Sequence, residues 1–445
     1  MFKDFSLSII FTNFGENHSG MVKVINSTNN IQAFGGLNFV SDHFDKEGIS
    51  VLIDSELGHR GLLATYSYAD VIKNMWMLNF CGGECAEDIQ THFKATLENT
   101  HNLNVCSADT ILRVQKELST AKVLKTSKNG NLNEFNRNDK LNKLNINILV
   151  KTGALVAGKE YNLDFDNQFI PCEKYDSKKG YKMSKGYFPS VASIGKYTVY
   201  FENRNGNTNV KYEQHDTLLK TFELLKSQNI EINCARMDCG SFTKEVIKVV
   251  ELNTKRFYIR AMRCDDLSTK IKEHKEWKTV LINDKKVEVA SICYKPFKED
   301  TEYRYVVSRE PNSTGQIDVF SGDNYSYRAI ITNDTETTDK EVIIFYNQRG
   351  GSEKIFDELN NDFGWAKIPF SFLEENTVYM MLMAMCRNFY ISMLEKMSKK
   401  IPFIQTTFRL KKFILRFVVV PFKWIKQGGQ KTLKLFTDKP YYLLN

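Results

Sequence analysis

No stretch of this sequence is long and apolar enough to be expected to cross a bilayer. The longest apolar runs, Val378–Cys386 and the segment around Phe413–Ile425, fall short of the ~20 residues that a spanning helix needs, and Arg416, Pro421 and Lys423 interrupt the second. The N-terminus has no basic region, long apolar stretch or small-residue cleavage site, so no secretory leader is expected. The nine cysteines form no CxxC pair and no Cys/His cluster with zinc spacing. That excludes a disulfide scaffold and a zinc finger and points to a reducing cytoplasm. No GxxxxGK followed by Ser or Thr occurs, so no nucleotide cofactor is expected. The seven histidines are dispersed, without HExxH or a partnered nucleophile, and no internal repeat of fixed period is present.

What is present is ordinary in bulk and uneven in charge. At ~150 residues per domain, 445 residues suggest two to four domains, and 42% apolar with 26% charged residues is a globular composition. The net charge is +8, yet the segment from Lys396 onward carries +11 by itself, leaving the first 395 residues at −3. This basic tail, with Lys411 and Lys412 near its middle, is interleaved with Phe408, Phe413, Phe417, Phe422, Trp424 and Phe436. Lysines on phosphates release counterions, so such a segment suits a polyanion, nucleic acid first and an anionic lipid surface second.

Along the chain the apolar period changes several times. Short strands are expected at Phe5–Phe14 and Met21–Ile25, then helices from about 37 to 120: Val71, Met75 and Leu78 share a face, a helix is expected over 86–97, and Ser107 sits where an N-cap belongs. Arg113 and Lys116 lie exposed on the helix after Ser107, an arrangement compatible with a helix-turn-helix DNA reader and equally with a plain bundle. Residues 122–145, with Asn129, Asn131, Asn133, Asn136 and Asn138, read as a linker. Period-two patterns then give strands at 161–166, 186–194 and 197–202, followed by a helix, the strand Ile230–Met237, a helix and the strand Phe257–Met262. Short β-rich runs fill 268–340, a last strand is expected at Val342–Tyr346, a helix from about Ser352, and a long apolar helix over 375–397. The expected organisation is therefore 1–121 helical, 122–145 linker, 146–267 first part of an α/β core, 268–340 β-rich insertion, 341–397 last part of the core, and 398–445 basic tail.

Three acids occupy special places in this order. Asp166 ends the first strand of the core, Asp238 ends the strand before a helix, followed by the tight turn Cys239-Gly240-Ser241, and Glu353 opens the helix after Tyr346-Asn347-Gln348-Arg349-Gly350-Gly351. Ligands of open α/β sheets bind beyond the carboxyl ends of the strands, so Asp166 and Asp238 would converge if their strands are neighbours. Carboxylates brought together repel unless cations balance them. Hard divalent ions with oxygen ligands are the natural occupants, and two of them can serve an in-line displacement at phosphorus. Asp164 shares the strand face of Asp166 and is a rival for the first position.

Tyr346-x2-Arg349-x3-Glu353 resembles the signature around the third acid of bacterial insertion-sequence transposases, the DDE enzymes with a ribonuclease-H-like core and a β-rich insertion between the second and third acids. Leu163-Asp164-Phe165-Asp166 is similar to their first-acid strand, and Ala235-Arg236-Met237-Asp238-Cys239-Gly240-Ser241-Phe242 to their second-acid segment. The gaps between acids are 72 and 115 residues, the longer one holding the β-rich stretch. Where the family usually has a Lys seven residues after the Glu, this chain has Asn360; where a Thr often follows the first acid by two, it has Gln168. The resemblance implies an α/β fold with a ribonuclease-H-like mixed sheet, a β-rich insertion and a helical N-terminal domain. It implies cut-and-paste DNA transposition, with Asp166 (preferred over Asp164 by its family position), Asp238 and Glu353 as catalytic metal ligands for two Mg²⁺, Mn²⁺ being able to substitute. Tyr346 and Arg349 would contact phosphates. Arg113 and Lys116 in the N-terminal region and Lys411 and Lys412 in the tail would bind double-stranded DNA, both terminal inverted repeats and target. A homodimer pairing two ends is implied, with helix 375–397 as candidate contact, in the cytoplasm and on the nucleoid when DNA-bound, without a membrane. The rival readings are a structure-selective nuclease on the same core and a DNA-binding relic. Trp277 is a candidate base-stacking residue, with a core role as the plainer reading.

Overall fold

Ser67 and Ser107 open two of the helices that the N-terminal pattern predicts. In the computed structural model, which describes residues 30–298, 301–311 and 324–444, the main helices of this region are α1 (Leu37–Lys46), α2 (Ile49–Leu57), α3 (Tyr68–Phe80) and α4 (Ala108–Glu117). Ser67 and Asp70 bond reciprocally as a capping box, and the Ser107 hydroxyl accepts the Thr110 N–H. The helix expected over 86–97 is instead two short pieces, Asp88–Thr91 and Lys94–Glu98, because His92 and Phe93 leave helical backbone space between them. The strands expected at Phe5–Phe14 and Met21–Ile25 lie outside the described residues. Every helix and strand named here belongs to the unit Gln32–Asn445.

The linker expected over 122–145 is ordered structure. It holds the hairpin β1 (Val123–Thr126) and β2 (Leu132–Asn136) and most of helix α5 (Asp139–Lys151). Asparagine here bonds backbone rather than breaking structure. Asn138 takes the left-handed conformation and caps α5 by accepting the Leu141 N–H, Asn142 both donates to and accepts from the backbone of Phe201, and Asn145 donates to the Thr198 carbonyl. The buried amides thus tie α5 to the sheet, satisfying groups that would otherwise cost free energy when removed from water.

The remaining strands of the large sheet are β3 (Glu160–Asn167), β4 (Ser190–Ile194), β5 (Tyr197–Arg204), β6 (Glu231–Met237), β7 (Arg256–Arg260), β8 (Lys278–Ile282), β9 (Lys285–Tyr294), β10 (Tyr303–Pro311) and β11 (Tyr325–Thr332). Its order is β1-β2-β5-β4-β3-β6-β7-β11-β10-β9-β8. β3, β4 and β5 form an antiparallel meander, and β6 and β7 join β3 in parallel. This is the ribonuclease-H-like arrangement, with α6 (Gln214–Ser227) and α7 (Lys244–Asn253) as the crossovers between β5 and β6 and between β6 and β7. The β-rich stretch is preceded by α8 (Asp265–Glu273) and extends the same sheet, since β11 pairs antiparallel with β7.

The last strand expected, Val342–Tyr346, is helical. Thr338 and Glu341 form a capping box that starts α9 (Asp339–Asn347), and after a 3-10 turn at 348–350 the chain continues as α10 (Gly351–Asn361). The β-branched run reads as a strand, but Val342, Ile343 and Tyr346 bury the inner side of a helix while Ile344 faces solvent.

α11 (Leu373–Met397) is buried nearly all round, as a helix apolar on every side must be. Its backbone accepts the Trp76 indole N–H at Leu382, and its Asn388 bonds both backbone groups of Thr198 on β5. This corrects the expectation of a dimer contact along 375–397, because that surface is already covered by the chain itself. The tail is corrected in part as well. Phe408, Phe413, Phe417 and Phe422 are core residues, Phe413 stacking on Phe417 and meeting Phe80 and Tyr390 edge to face. Its lysines lie outside, and the chain ends in a ribbon of β12 (Phe422–Gln427) and β13 (Gln430–Leu435). Among the described residues no helix is long and apolar enough to cross a membrane.

Candidate active site

Parallel register builds this site. On β3 and β6, Asp164 lies opposite Arg236 and Phe165 opposite Met237, so the next residues, Asp166 and Asp238, leave the sheet side by side at the carboxyl edge. Asp238 then caps the turn Cys239–Ser241, its Oδ1 accepting the Gly240 N–H at 3.0 Å. Glycine is required at that turn, since a Cβ there would come within 3.1 Å of Val210 and 3.0 Å of the Asp238 carboxylate.

The two acids of β3 have different fates. Asp164 is buried and committed to Arg236, which forks onto it with Nε–Oδ1 at 2.7 Å and Nη2–Oδ2 at 2.8 Å. Arg236 also donates to the Phe345 carbonyl at 2.8 Å and lies 4.6 Å from the centre of the Phe345 ring, so the pair clamps α9 over the sheet. Asp166 meets a different cation: Arg349 Nη1 donates to its Oδ2 at 2.8 Å. Burial and the neighbouring charge of Asp238 raise the Asp166 carboxyl above the usual carboxylate range, against the opposing pull of Arg349.

Tyr346, Arg349 and Glu353, three and four residues apart along a nearly continuous helical run, share one side of it. The Tyr346 hydroxyl donates to the Met237 carbonyl at 3.1 Å, just before Asp238, and burial raises its pKa. Glu353 lies one turn beyond Arg349, exposed, without a hydrogen bond or ion pair among the described residues. Asp166 and Asp238 are therefore brought together, and Glu353 is not brought onto them. Among the described residues no three His, Cys, Asp or Glu side chains stand close enough to hold a metal ion.

Asp238, Arg260, Tyr346, Asn347 and Arg349 line a cleft of about 450 Å³. Arg260 was not anticipated from the sequence. It ends β7, one strand along the same edge from Asp238, so its place could have been read from strand order. A second cleft of about 570 Å³ shares Cys239 and Arg260 and is bordered by Arg263, Lys272, Tyr327 and Arg328. The mouth of the site is thus basic, as a polyanion requires.

The transposase DDE domain group 1 model matches residues 21–443. The chain belongs to this family. It is a DDE transposase, an enzyme of DNA cleavage and strand transfer that depends on divalent metal, with DNA as its partner. No curated protein matches the sequence. Among solved structures the chain is similar to piggyBac transposase in a synaptic complex with hairpin DNA, at 12% identity and a TM-score of 0.41, over 86% of this chain and 78% of that one.

The transposase's donor set fits a hard divalent ion. Its members are carboxylate oxygens, two of them are side by side and short of positive charge, and the Arg349 guanidinium already stands at Asp166 as a cation does. The departures from the family pattern fall on half-buried side chains: Gln168 Oε1 and Asn360 Oδ1 are both buried without a hydrogen-bond partner.

The other candidate DNA contacts are scattered over the surface. Arg113 and Lys116 are exposed on α4, Arg113 bonded to Thr110 and 4.0 Å from Glu117, Lys116 lying 5.9 Å from the centre of the Phe370 ring. Lys411 and Lys412 are exposed on the turn Leu410–Phe413. Trp277 is partly buried, its indole N–H bonded to the His274 carbonyl and its ring stacked at 4.1 Å on Arg309, which makes it an internal packing residue rather than a free platform.

Proposed function

We propose that this transposase moves an insertion sequence by cut-and-paste, with Asp166, Asp238 and Glu353 as the ligands of two Mg²⁺ ions, for which Mn²⁺ can substitute. The observation that carries the reading is the β3–β6 register, which delivers Asp166 and Asp238 to one edge with Arg349 and Tyr346 against them. Divalent ions held there would supply the charge that activates an attacking oxygen and stabilises the leaving one at phosphorus.

The chain's own groups orient the substrate. Arg349 holds Asp166 in the DNA-free protein and presents the remaining donors of its fork to a phosphate. Tyr346 fixes α9 to the end of β6, setting the reach of Arg349 and, one turn on, of Glu353. Arg260 lines the approach. Arg113 and Lys116 in the helical region 1–121, and Lys411 and Lys412 in the segment 398–445, bind terminal inverted repeats and target DNA in a homodimer that acts in the cytoplasm, on the nucleoid.

The test is metal-dependent nicking and joining on a duplex that carries the element's own ends, comparing wild type with Asp238→Ala and Glu353→Ala. Joining lost in both variants with end binding retained is the expected result. Cleavage without joining in the wild type would instead establish a structure-selective nuclease, and tight binding with neither reaction in Mg²⁺ or Mn²⁺ a DNA-binding relic.

A further inference from the structure

The ribbon of β12 and β13 is anchored at one end and bare at the other. At its root Phe422 is buried and pairs with Gln32, and the Trp424 indole donates to the Asn99 carbonyl at 2.8 Å. At its tip Gly428 and Gly429 both have positive φ, the geometry of a tight two-residue hairpin, and a Cβ on either would meet nothing within 4 Å. The residues from Lys426 to Lys431 are exposed.

Register places Lys423 opposite Lys434 and Lys426 opposite Lys431. Like charges directly across a pair of strands are destabilising, and among the described residues none of the four has a carboxylate partner. Instead each pair lies beside an aromatic ring: Lys423 and Lys434 at 5.9 and 5.8 Å from the centre of Phe436, and Lys431 at 4.4 Å from that of Trp424. Side chains alternate between faces along a strand. The pair Lys423/Lys434 therefore points to one side of the ribbon and Lys426/Lys431 to the other. A lipid surface or a flat acidic protein would neutralise only one side. Two facing rows of negative charge neutralise both, and the walls of a nucleic-acid groove are such rows.

Width then chooses the groove. A β layer with side chains occupies ~10 Å face to face, which the ~12 Å major groove of B-DNA admits and the ~6 Å minor groove does not. At the tip, Gln427 lies opposite Gln430 around the two glycines, and a glutamine amide can bond an adenine edge in the major groove through two hydrogen bonds.

We propose that this ribbon enters the major groove of duplex DNA tip first, with its lysine pairs on the two phosphate walls and Gln427 and Gln430 at the base edges. The proposal rests on the reading of the chain as a transposase that binds DNA ends, and it names the element and the groove that this reading leaves open.

The test uses the full chain and a mixed-sequence duplex several turns long, with affinity measured by fluorescence anisotropy across a salt series. Lys426→Ala with Lys431→Ala should lower the salt slope by about two, roughly 0.9 per phosphate contact, and weaken binding about ten-fold or more at physiological salt. Lys426→Arg with Lys431→Arg should restore both. Methyl green, which occupies the major groove, should compete with the wild type, and distamycin in the minor groove should not. Gln427→Ala with Gln430→Ala should flatten affinity differences among duplexes and leave the salt slope unchanged. An unaltered melting temperature in the lysine variant shows that folding is not the cause. Wild-type binding with the same salt slope in the lysine variant would overturn the ribbon's role and leave the transposase reading standing. Competition by distamycin alone would overturn the groove assignment. Loss of binding to phosphatidylserine vesicles with duplex binding unchanged would assign the ribbon to a lipid surface. A wild type that binds no duplex would remove the end-binding reading and the proposal with it.

Discussion

Arg236→Met is the sharpest probe of how the fold delivers the catalytic acids. The substitution keeps most of the aliphatic stem and removes the guanidinium that forks onto Asp164 and donates to the Phe345 carbonyl, all within 2.8 Å. Both side chains are almost fully enclosed, at 9% and 5% exposure, so water cannot replace the lost partner. Removing one member of a buried pair leaves an uncompensated charge and costs about 3–5 kcal/mol. Replacing both members by apolar groups, Asp164→Leu with Arg236→Met, removes the stranded charge and is expected to recover most of that loss. A thermodynamic cycle over the two single variants and the double should therefore give a coupling of 2 kcal/mol or more in magnitude, about the strength expected of directly bonded neighbours. The assay is urea unfolding followed by circular dichroism, read as a shift of midpoint at constant slope. In DNA assays the single variant should lose metal-dependent cleavage more than end binding, because the pair sits two residues before Asp166 and Asp238 and sets their register. A single variant that costs less than about 1 kcal/mol, or a double variant no more stable than the worse single, would refute the reasoning.

Three further outcomes follow from the same geometry. Arg349→Ala should reduce cleavage by about a hundred-fold, the scale of losing one preorganised donor at a reacting centre; Arg349→Lys should restore only part of it, since a lysine cannot fork between Asp166 and a phosphate, and both are read in single-turnover cleavage. His43 is held neutral by burial, its pKa depressed from 6.5 to about 4 despite Glu47, with Lys46, Lys396 and Lys400 adding to the depression. The unfolded chain takes up that proton first as the pH falls, so stability present above pH 6.5 is lost on the way down to about pH 4, by about 3 kcal/mol at most; the difference between the unfolding curves of wild type and His43→Gln across that window isolates it. Asn388→Ala removes one acceptor and two donor contacts to Thr198 and Asn145 and leaves those buried groups unpaired, at a cost of about 2–4 kcal/mol in urea midpoint at constant slope.

The acids were legible because strands announce their own ends. Asp166 and Asp238 each close a period-two run, and the helices between the strands left parallel pairing as the simple topology. What misled was residue type read without its partners. The asparagines of 129–145 are turn formers in isolation; here Asn138 caps α5, while Asn142 and Asn145 bond β5 backbone that no local pattern reveals. Val342–Tyr346 has a strand's composition, yet Thr338 and Glu341 fix a helix start three residues earlier, and local capping decides the element. The tail's aromatics were read with its lysines as one surface, although lysine heads can stay in water while neighbouring rings enter the core. Arg236 was within reach of a finer reading. Asp164 lies two residues before Asp166, and Arg236 two before Asp238, so once the strands are taken as parallel neighbours with their acids level, the opposite charges must meet. A buried pair of this kind gives stability only against the alternative of breaking it. Its more specific effect is on register: a slip of one residue would strand both charges and separate the two carboxylates at the strand ends, so the ion pair that makes no contact with DNA selects the alignment on which cleavage depends.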